Sequence, residues 1–251
     1  MSFALVTGAT AGLGAEFCRQ LAAGGYSLVL VARDRARLEA SAESLKAEYG
    51  VEVETLAADL VTTEGVAAVA DRIRLEQHPV DMVVNNAGFG LVSTFHESPI
   101  EDEQRHLDLL VTAPMHLTHA ALGTMVRRGS GTIINVASVA GYTPRGSYGA
   151  AKAWLLNFSQ WANIRYRRDG VTVTAVAPGF VHTEFHQRMN ARIDNIPRWL
   201  WLTPEAVVTD ALRAARRGKA ITIPSLRFKI VVLLTRILPK RLVAAGALRG
   251  R

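Results

Sequence analysis

The stretch T-G-A-T-A-G-L-G, Thr7 to Gly14, decides how the chain is read. It follows the short apolar run F-A-L-V and precedes a segment of helical period, Ala15–Ala23. Strand, glycine-rich turn and helix in that order form the opening of a nucleotide-binding unit. Glycines at 8, 12 and 14 let the backbone turn tightly and let a pyrophosphate approach the N-terminus of the helix.

Outward from that turn the same alternation repeats. Runs rich in Val and Ile recur: Y-S-L-V-L-V-A, V-E-V-E-T-L-A, V-D-M-V-V-N-N, G-T-I-I-N-V-A, V-T-V-T-A-V-A and A-I-T-I-P. Between them lie helical patterns at Arg35–Tyr49, Glu64–Gln77, Glu101–Val126, Tyr148–Arg168 and Pro204–Arg217. Strand alternating with helix implies right-handed crossovers and a mainly parallel sheet covered on both faces. The expected fold is α/β: one doubly wound, seven-stranded domain over residues 1–223, with no linker to divide it. Ligands of such a sheet bind outside the carboxyl ends of its strands.

The end of the second strand selects the dinucleotide. An acid there suits a ribose 2′-hydroxyl, and a cation suits a 2′-phosphate. The strand ends V-A-R-D, where Arg33 can fork onto a phosphate and Ala32 leaves room for it. NADP(H) is expected rather than NAD(H), with Asp34 as the residue that argues the other way.

Bulk properties narrow the remaining classes. Of 251 residues, 49% are apolar and 20% charged, as in ordinary globular proteins. The single cysteine, Cys18, rules out an internal disulfide, suits a reducing compartment and reads as helix filler. No basic region precedes F-A-L-V, so no signal peptide is expected, and no apolar run approaches the roughly 20 residues of a membrane span. A cytoplasmic location follows, with membrane association left open by the tail. The net charge of +7 is concentrated between Arg192 and Arg251, which hold 13 Lys and Arg against three acids. The rest of the chain has 16 bases against 19 acids, so a general nucleic-acid surface is not expected.

With N-N-A-G (85–88), the serine of N-V-A-S (138), Y-G-A-A-K (148–152) and P-G-F-V-H-T (178–183), the pattern resembles the short-chain dehydrogenase/reductase family of Rossmann-fold oxidoreductases. The resemblance spans about residues 2–223. It implies that Ser138, Tyr148 and Lys152 are the catalytic set. Gly8, Thr10, Gly12, Leu13 and Gly14 would line the pyrophosphate turn, and Asp59 and Leu60 would lie beside the adenine. Asn86, Ala87 and Gly88 would flank the adenosine, while Pro178, Gly179, Val181 and Thr183 would hold the nicotinamide amide. It also implies a homodimer or homotetramer paired through two long helices.

The side chains support a carbonyl–alcohol interconversion. A free tyrosine titrates near 10, and lowering it by about three units requires roughly 4 kcal/mol of preference for the phenolate. One cation at about 4 Å in an effective dielectric near 20 supplies about that much. Lys152, one helical turn from Tyr148, is expected to be that cation, and Tyr148 the general acid or base. Ser138 would orient the substrate oxygen. Histidines at 182 and 186, or 116 and 119, have helical spacing but no evident third ligand, so no metal is expected.

Three features keep alternatives open. The family usually places an asparagine where L-D-L-L-V-T-A-P has Leu110, and leucine offers no side-chain hydrogen bond. A non-catalytic or weakly active NADP(H)-binding protein is therefore the rival reading. The segment 184–203 sits where the family builds its substrate lid. Its Phe185, Met189, Ile193, Ile196, Trp199, Leu200 and Trp201 suit a lipophilic substrate or simple core packing. The extension 224–251 reads as a basic amphipathic helix. Lys229, Arg236 and Lys240 form one stripe beside an apolar sector. It would cover the cleft, meet another subunit, or touch an anionic membrane as a scaffold protein would.

Overall fold

The computed structural model describes residues 2–91, 93–184, 197–239 and 241–244. Seven strands form one sheet: β1 (Phe3–Thr7), β2 (Ser27–Ala32), β3 (Val53–Ala57), β4 (Val80–Asn85), β5 (Gly131–Val136), β6 (Val171–Val176) and β7 (Ile221–Thr222). Their order is β3-β2-β1-β4-β5-β6-β7, and every neighbouring pair is parallel. The order reverses between β1 and β4, which opens a crevice at the carboxyl ends of those strands.

The helices are α1 (Gly12–Ala23), α2 (Arg35–Tyr49), α3 (Thr63–Arg74), α4 (Ile100–Leu107), α5 (Ala113–Arg128), α6 (Gly146–Tyr166), α7 (Pro204–Arg216) and α8 (Leu226–Ile237). Strand residues alternate between two apolar layers. Ala4 and Val6 pack with Phe17 and Leu21 of α1, Leu38 of α2 and Val207 and Val208 of α7. Phe3 and Leu5 face the opposite layer, with Val69 and Ile73 of α3 and Leu117 of α5. Fully burying such side chains stabilises the fold by about 1.5–3 kcal/mol each. Cys18 is buried in the first layer and burial pushes its thiol up, as expected of helix filler.

Side chains set the helix starts. Asp34 Oδ1 accepts from the Arg37 amide at 3.1 Å, and Thr62 Oγ1 accepts from the Gly65 amide at 3.0 Å. The expected single helix over 101–126 is interrupted by a π turn at Asp108–Thr112. Pro114 explains the interruption. It has no N–H for the Leu110 carbonyl four residues back, and its ring crowds that carbonyl. The helical stretch Ile100–Arg128 is long and apolar enough to cross a membrane by composition, but 56% of its apolar window is buried inside the fold. It is a core element of this sheet.

Candidate functional site

A cleft of about 1710 Å³ opens along the carboxyl ends of the strands. Except for Gly14, every residue expected at the site lines it. Gly8, Thr10, Gly12 and Leu13 come from the turn after β1, Arg33 from the end of β2, and Asp59 and Leu60 from the segment after β3. Asn86, Ala87 and Gly88 follow β4, and Ser138 follows β5. Tyr148 and Lys152 project from α6, while Pro178, Gly179, Val181 and Thr183 follow β6.

Gly14 acts one layer behind the wall. A Cβ there would stand 2.0 Å from the Gly8 carbonyl oxygen and 2.6 Å from the Asn86 amide nitrogen. Only glycine lets α1 pack this tightly under the turn, while Gly8 takes φ +66° to make it. Asn86 Nδ2 donates to the Thr7 carbonyl at 2.9 Å, and its main-chain amide donates to Thr7 Oγ1 at 2.9 Å. Its side chain thus clamps the turn to β4. The result is a rigid cradle with the N-terminus of α1 behind it, the geometry a pyrophosphate needs.

At the β2 end, Arg33 is exposed beside the cleft. The Asp34 carboxylate is engaged in capping α2. Arg37 also lines the cleft, and sequence reasoning missed it. Its guanidinium donates to the Thr10 carbonyl at 3.1 Å and lies 3.6 Å from Glu184 Oε1. The signal was present: a further cation in the first turn of the helix that follows the strand end.

At the other end of the cleft, Ser138 Oγ accepts from the Ala140 amide at 3.1 Å, and Ser138 and Tyr148 line the same wall. Lys152 is buried with its Nζ 5.7 Å from the centre of the Tyr148 ring. The ammonium donates to the Val136 carbonyl at 2.7 Å, a partner not foreseen. Burial depresses the Lys152 pKa to about 8.

The expected electrostatic lowering of Tyr148 is not found in the unliganded chain. Burial raises the phenol above its ordinary value, and the Ser138 hydrogen bond and the Arg145 charge oppose that rise without reversing it. Desolvation of the phenolate outweighs the cations, because Lys152 is itself desolvated and turned toward Val136. Tyr148 is accordingly held in its neutral form, the form that donates a proton.

Leu110 is buried at the π turn, and a Cβ on Gly88 would come within 2.9 Å of it. The Asp108 carboxylate accepts from Gln104 Nε2 of α4 at 3.0 Å and from Thr112 Oγ1 at 3.4 Å, so the two polar neighbours of Leu110 are engaged with each other and with α4. His106 was not foreseen. It is 1% exposed, its ring centre lies 6.0 Å from that of Tyr148, and its Nε2 and the Glu103 Oε2 are buried without a hydrogen-bond partner. Burial lowers the His106 pKa, Glu103 raises it and Lys152 lowers it further. Its sequence context, an amphipathic acidic helix, gave no sign of this inward position.

Most of the expected lid, residues 185–196, lies outside the described residues, so Phe185, Met189, Ile193 and Ile196 are not placed. Trp201 stacks on His182 with ring centres 4.5 Å apart and meets Phe180 at 5.9 Å, so it packs within the fold. The apolar wall of the cleft comes from the tail instead. Phe228, Val231, Val232, Leu234 and Leu238 of α8 and its C-terminal flank line it. Phe228 lies so close to Gly179 that any side chain there would collide with its ring. Among the described residues no group of three or more His, Cys, Asp or Glu could hold a metal.

A seven-stranded parallel sheet with such a cleft at its switch point defines a dinucleotide-binding protein of the Rossmann type. Residues 2–194 match the short chain dehydrogenase family, and the chain belongs to it. It is 37% identical over 186 residues to sulfoacetaldehyde reductase 2 of Chromohalobacter salexigens, covering 72% of this chain and 73% of that one. A short-chain dehydrogenase from Sphingobium yanoikuyae in complex with NADPH superposes with a TM-score of 0.86 at 34% identity, covering 94% of each chain. The bulky-bulky ketone specific alcohol dehydrogenase of Comamonas testosteroni gives 0.81 at 31% identity, covering 94% of this chain and 92% of that one.

Proposed function

We propose that this oxidoreductase uses NADP(H) to interconvert a lipophilic carbonyl compound and its alcohol. The observation that carries the reading is the convergence of Ser138, Tyr148 and the buried ammonium of Lys152, whose Nζ lies 5.7 Å from the Tyr148 ring centre, at one end of a cleft whose other end has a glycine cradle. The cradle fits a pyrophosphate because Gly8, at φ +66°, and Gly14, which leaves no room for a Cβ under the turn, bring the backbone close over the N-terminus of α1. Arg33 and Arg37 fit a 2′-phosphate, and the capping duty of Asp34 removes the acid that would favour a free 2′-hydroxyl. Bound there, the dinucleotide supplies a hydride to the carbonyl carbon.

The chain's own part is to place the carbonyl and protonate it. The Ser138 hydroxyl binds the substrate oxygen and holds it against Tyr148. Tyr148, kept neutral by burial, gives its hydroxyl proton to that oxygen as negative charge develops, and the alcohol forms. The phenolate left behind is balanced by the Lys152 cation, which carries its proton at neutral pH since it titrates near 8. In the reverse direction Tyr148 is the base. The apolar α8 wall favours a hydrophobic substrate. The relatives' reported action on a bulky ketone and on an aldehyde agrees with carbonyl chemistry. Pairing of subunits through α5 and α6 is supported by the exposed Met115, Trp161 and Ile164 on those helices.

A second reading, dinucleotide binding without efficient turnover, rests on the buried apolar Leu110. One experiment separates them. NADPH oxidation followed against a panel of lipophilic ketones and aldehydes is expected to show turnover. Tight NADPH binding with no turnover on any of them would favour the second reading.

A further inference from the structure

The outer side of α8 is not accounted for by the cleft. Its inner residues Phe228, Val232 and Thr235 are buried. On the opposite side Leu226, Ile230, Leu233 and Ile237 recur at helical spacing and are 72%, 50%, 56% and 70% exposed. None of the four lines the cleft. A continuous exposed aliphatic stripe on a two-sided apolar helix is rare on a soluble surface and marks a docking face.

Charge identifies what docks. Between Leu226 and Arg251 the chain has seven Lys and Arg and no acid. Lys229 and Arg236, two turns apart on one flank of the stripe, and Arg227 on the other, border the aliphatic residues. Aliphatic side chains at the centre with cations at the margin match a bilayer surface. The stripe enters the acyl boundary, and the long basic side chains reach the headgroups. A second copy of the chain would bring the same Arg227, Lys229 and Arg236 against these through a two-fold interface, where like charges repel.

We propose that α8 docks this protein on an anionic lipid bilayer through Leu226, Ile230, Leu233 and Ile237, with Lys229 on lipid phosphates while Arg227 packs on Trp199 and Arg236 on Tyr142 at the margin. The inner side of the same helix forms the cleft wall, so docking sets the mouth of the cleft beside the lipid surface. Docking itself does not depend on the proposed reaction, and its test needs no turnover.

The test is flotation of the full chain with vesicles of phosphatidylcholine, alone or with about 30% phosphatidylglycerol. The protein is expected to float with the anionic vesicles, and raising salt from about 0.05 to about 0.5 M is expected to weaken the association. The double substitution Ile230→Glu/Ile237→Glu is expected to lower association at least about tenfold. Both positions are exposed, so its melting temperature and NADPH fluorescence titration are expected to match those of the unaltered chain. A Lys229→Glu variant is expected to lower binding to the anionic vesicles alone. Protein that stays at the bottom of the low-salt gradient overturns the proposal, and so does equal flotation of the double variant. An oligomer that the double variant splits, with no flotation of either, assigns the stripe to a second copy and overturns it as well.

Discussion

Substituting Lys152→Met is expected to change how the stability of the unliganded chain depends on pH. The ammonium titrates at about 8 in the fold against an ordinary value of 10.5, so the folded chain binds this proton less readily than the unfolded chain. Below about pH 8 the fold carries the full cost of a buried charge, about 3 kcal/mol. As pH rises toward 10.5 the unfolded chain keeps the proton longer than the folded one, and the cost fades. Stability contributed at this site therefore rises with pH. Methionine removes the titration and also the bond to the Val136 carbonyl, a loss of about 1–3 kcal/mol that does not depend on pH. The net difference at one pH is consequently a poor readout, and its pH dependence is a good one. Measured by urea unfolding, the stability of the variant minus that of the unaltered chain is expected to fall by about 2 kcal/mol between about pH 7 and pH 9.5. A difference that stays flat across that interval would refute the claim that Lys152 is buried as a strained cation.

The other predictions concern the cofactor end and the site's neighbours. Replacing Arg33 and Arg37 together by alanine is expected to weaken NADPH binding by about ten- to a hundredfold while leaving NADH nearly unchanged, measured by nicotinamide fluorescence. Equal losses for both dinucleotides would detach the two guanidinium groups from the 2′-phosphate. Gly14→Ala would set a methyl 2.0 Å from the Gly8 carbonyl oxygen, so dinucleotide binding is expected to be lost and the melting temperature to fall. Leu110→Asn is expected to raise kcat several-fold with little change in KM for NADPH, by adding a polar group near Gly88 and the catalytic end of the cleft. An unchanged rate would mean that proton exchange at Lys152 already runs through other groups, such as the buried His106, which feels the Lys152 charge.

The sheet was legible because its signal is redundant. Seven β-branched runs, each followed by a turn and a helical pattern, permit few other arrangements, and α2 spans the expected Arg35–Tyr49, where Asp34 caps its start and the left-handed Gly50 ends it. The π turn was less legible. Periodicity carried the helix through 108–112, and only Pro114 recorded the local conflict with hydrogen bonding. The motif residues gather along one cleft since their positions follow from strand ends. What those side chains do there depends on packing across the fold, which spacing does not encode. Asn86 clamps a turn, Lys152 bonds to Val136, and burial raises Tyr148 where pairwise attraction suggested lowering. His106 escaped notice for the same reason, its inward face being set by partners distant in sequence, whereas a cleft-covering tail was among the alternatives the sequence left open.

The most direct test of the chemistry is Tyr148→Phe. The substitution removes one oxygen from the catalytic end of the cleft and leaves the glycine cradle untouched. NADPH affinity is expected to stay within about twofold of the unaltered chain, while kcat for ketone reduction falls by at least about 10²- to 10⁴-fold at every pH tried. Turnover retained near the original rate would contradict the account, because the proton would then come from another group.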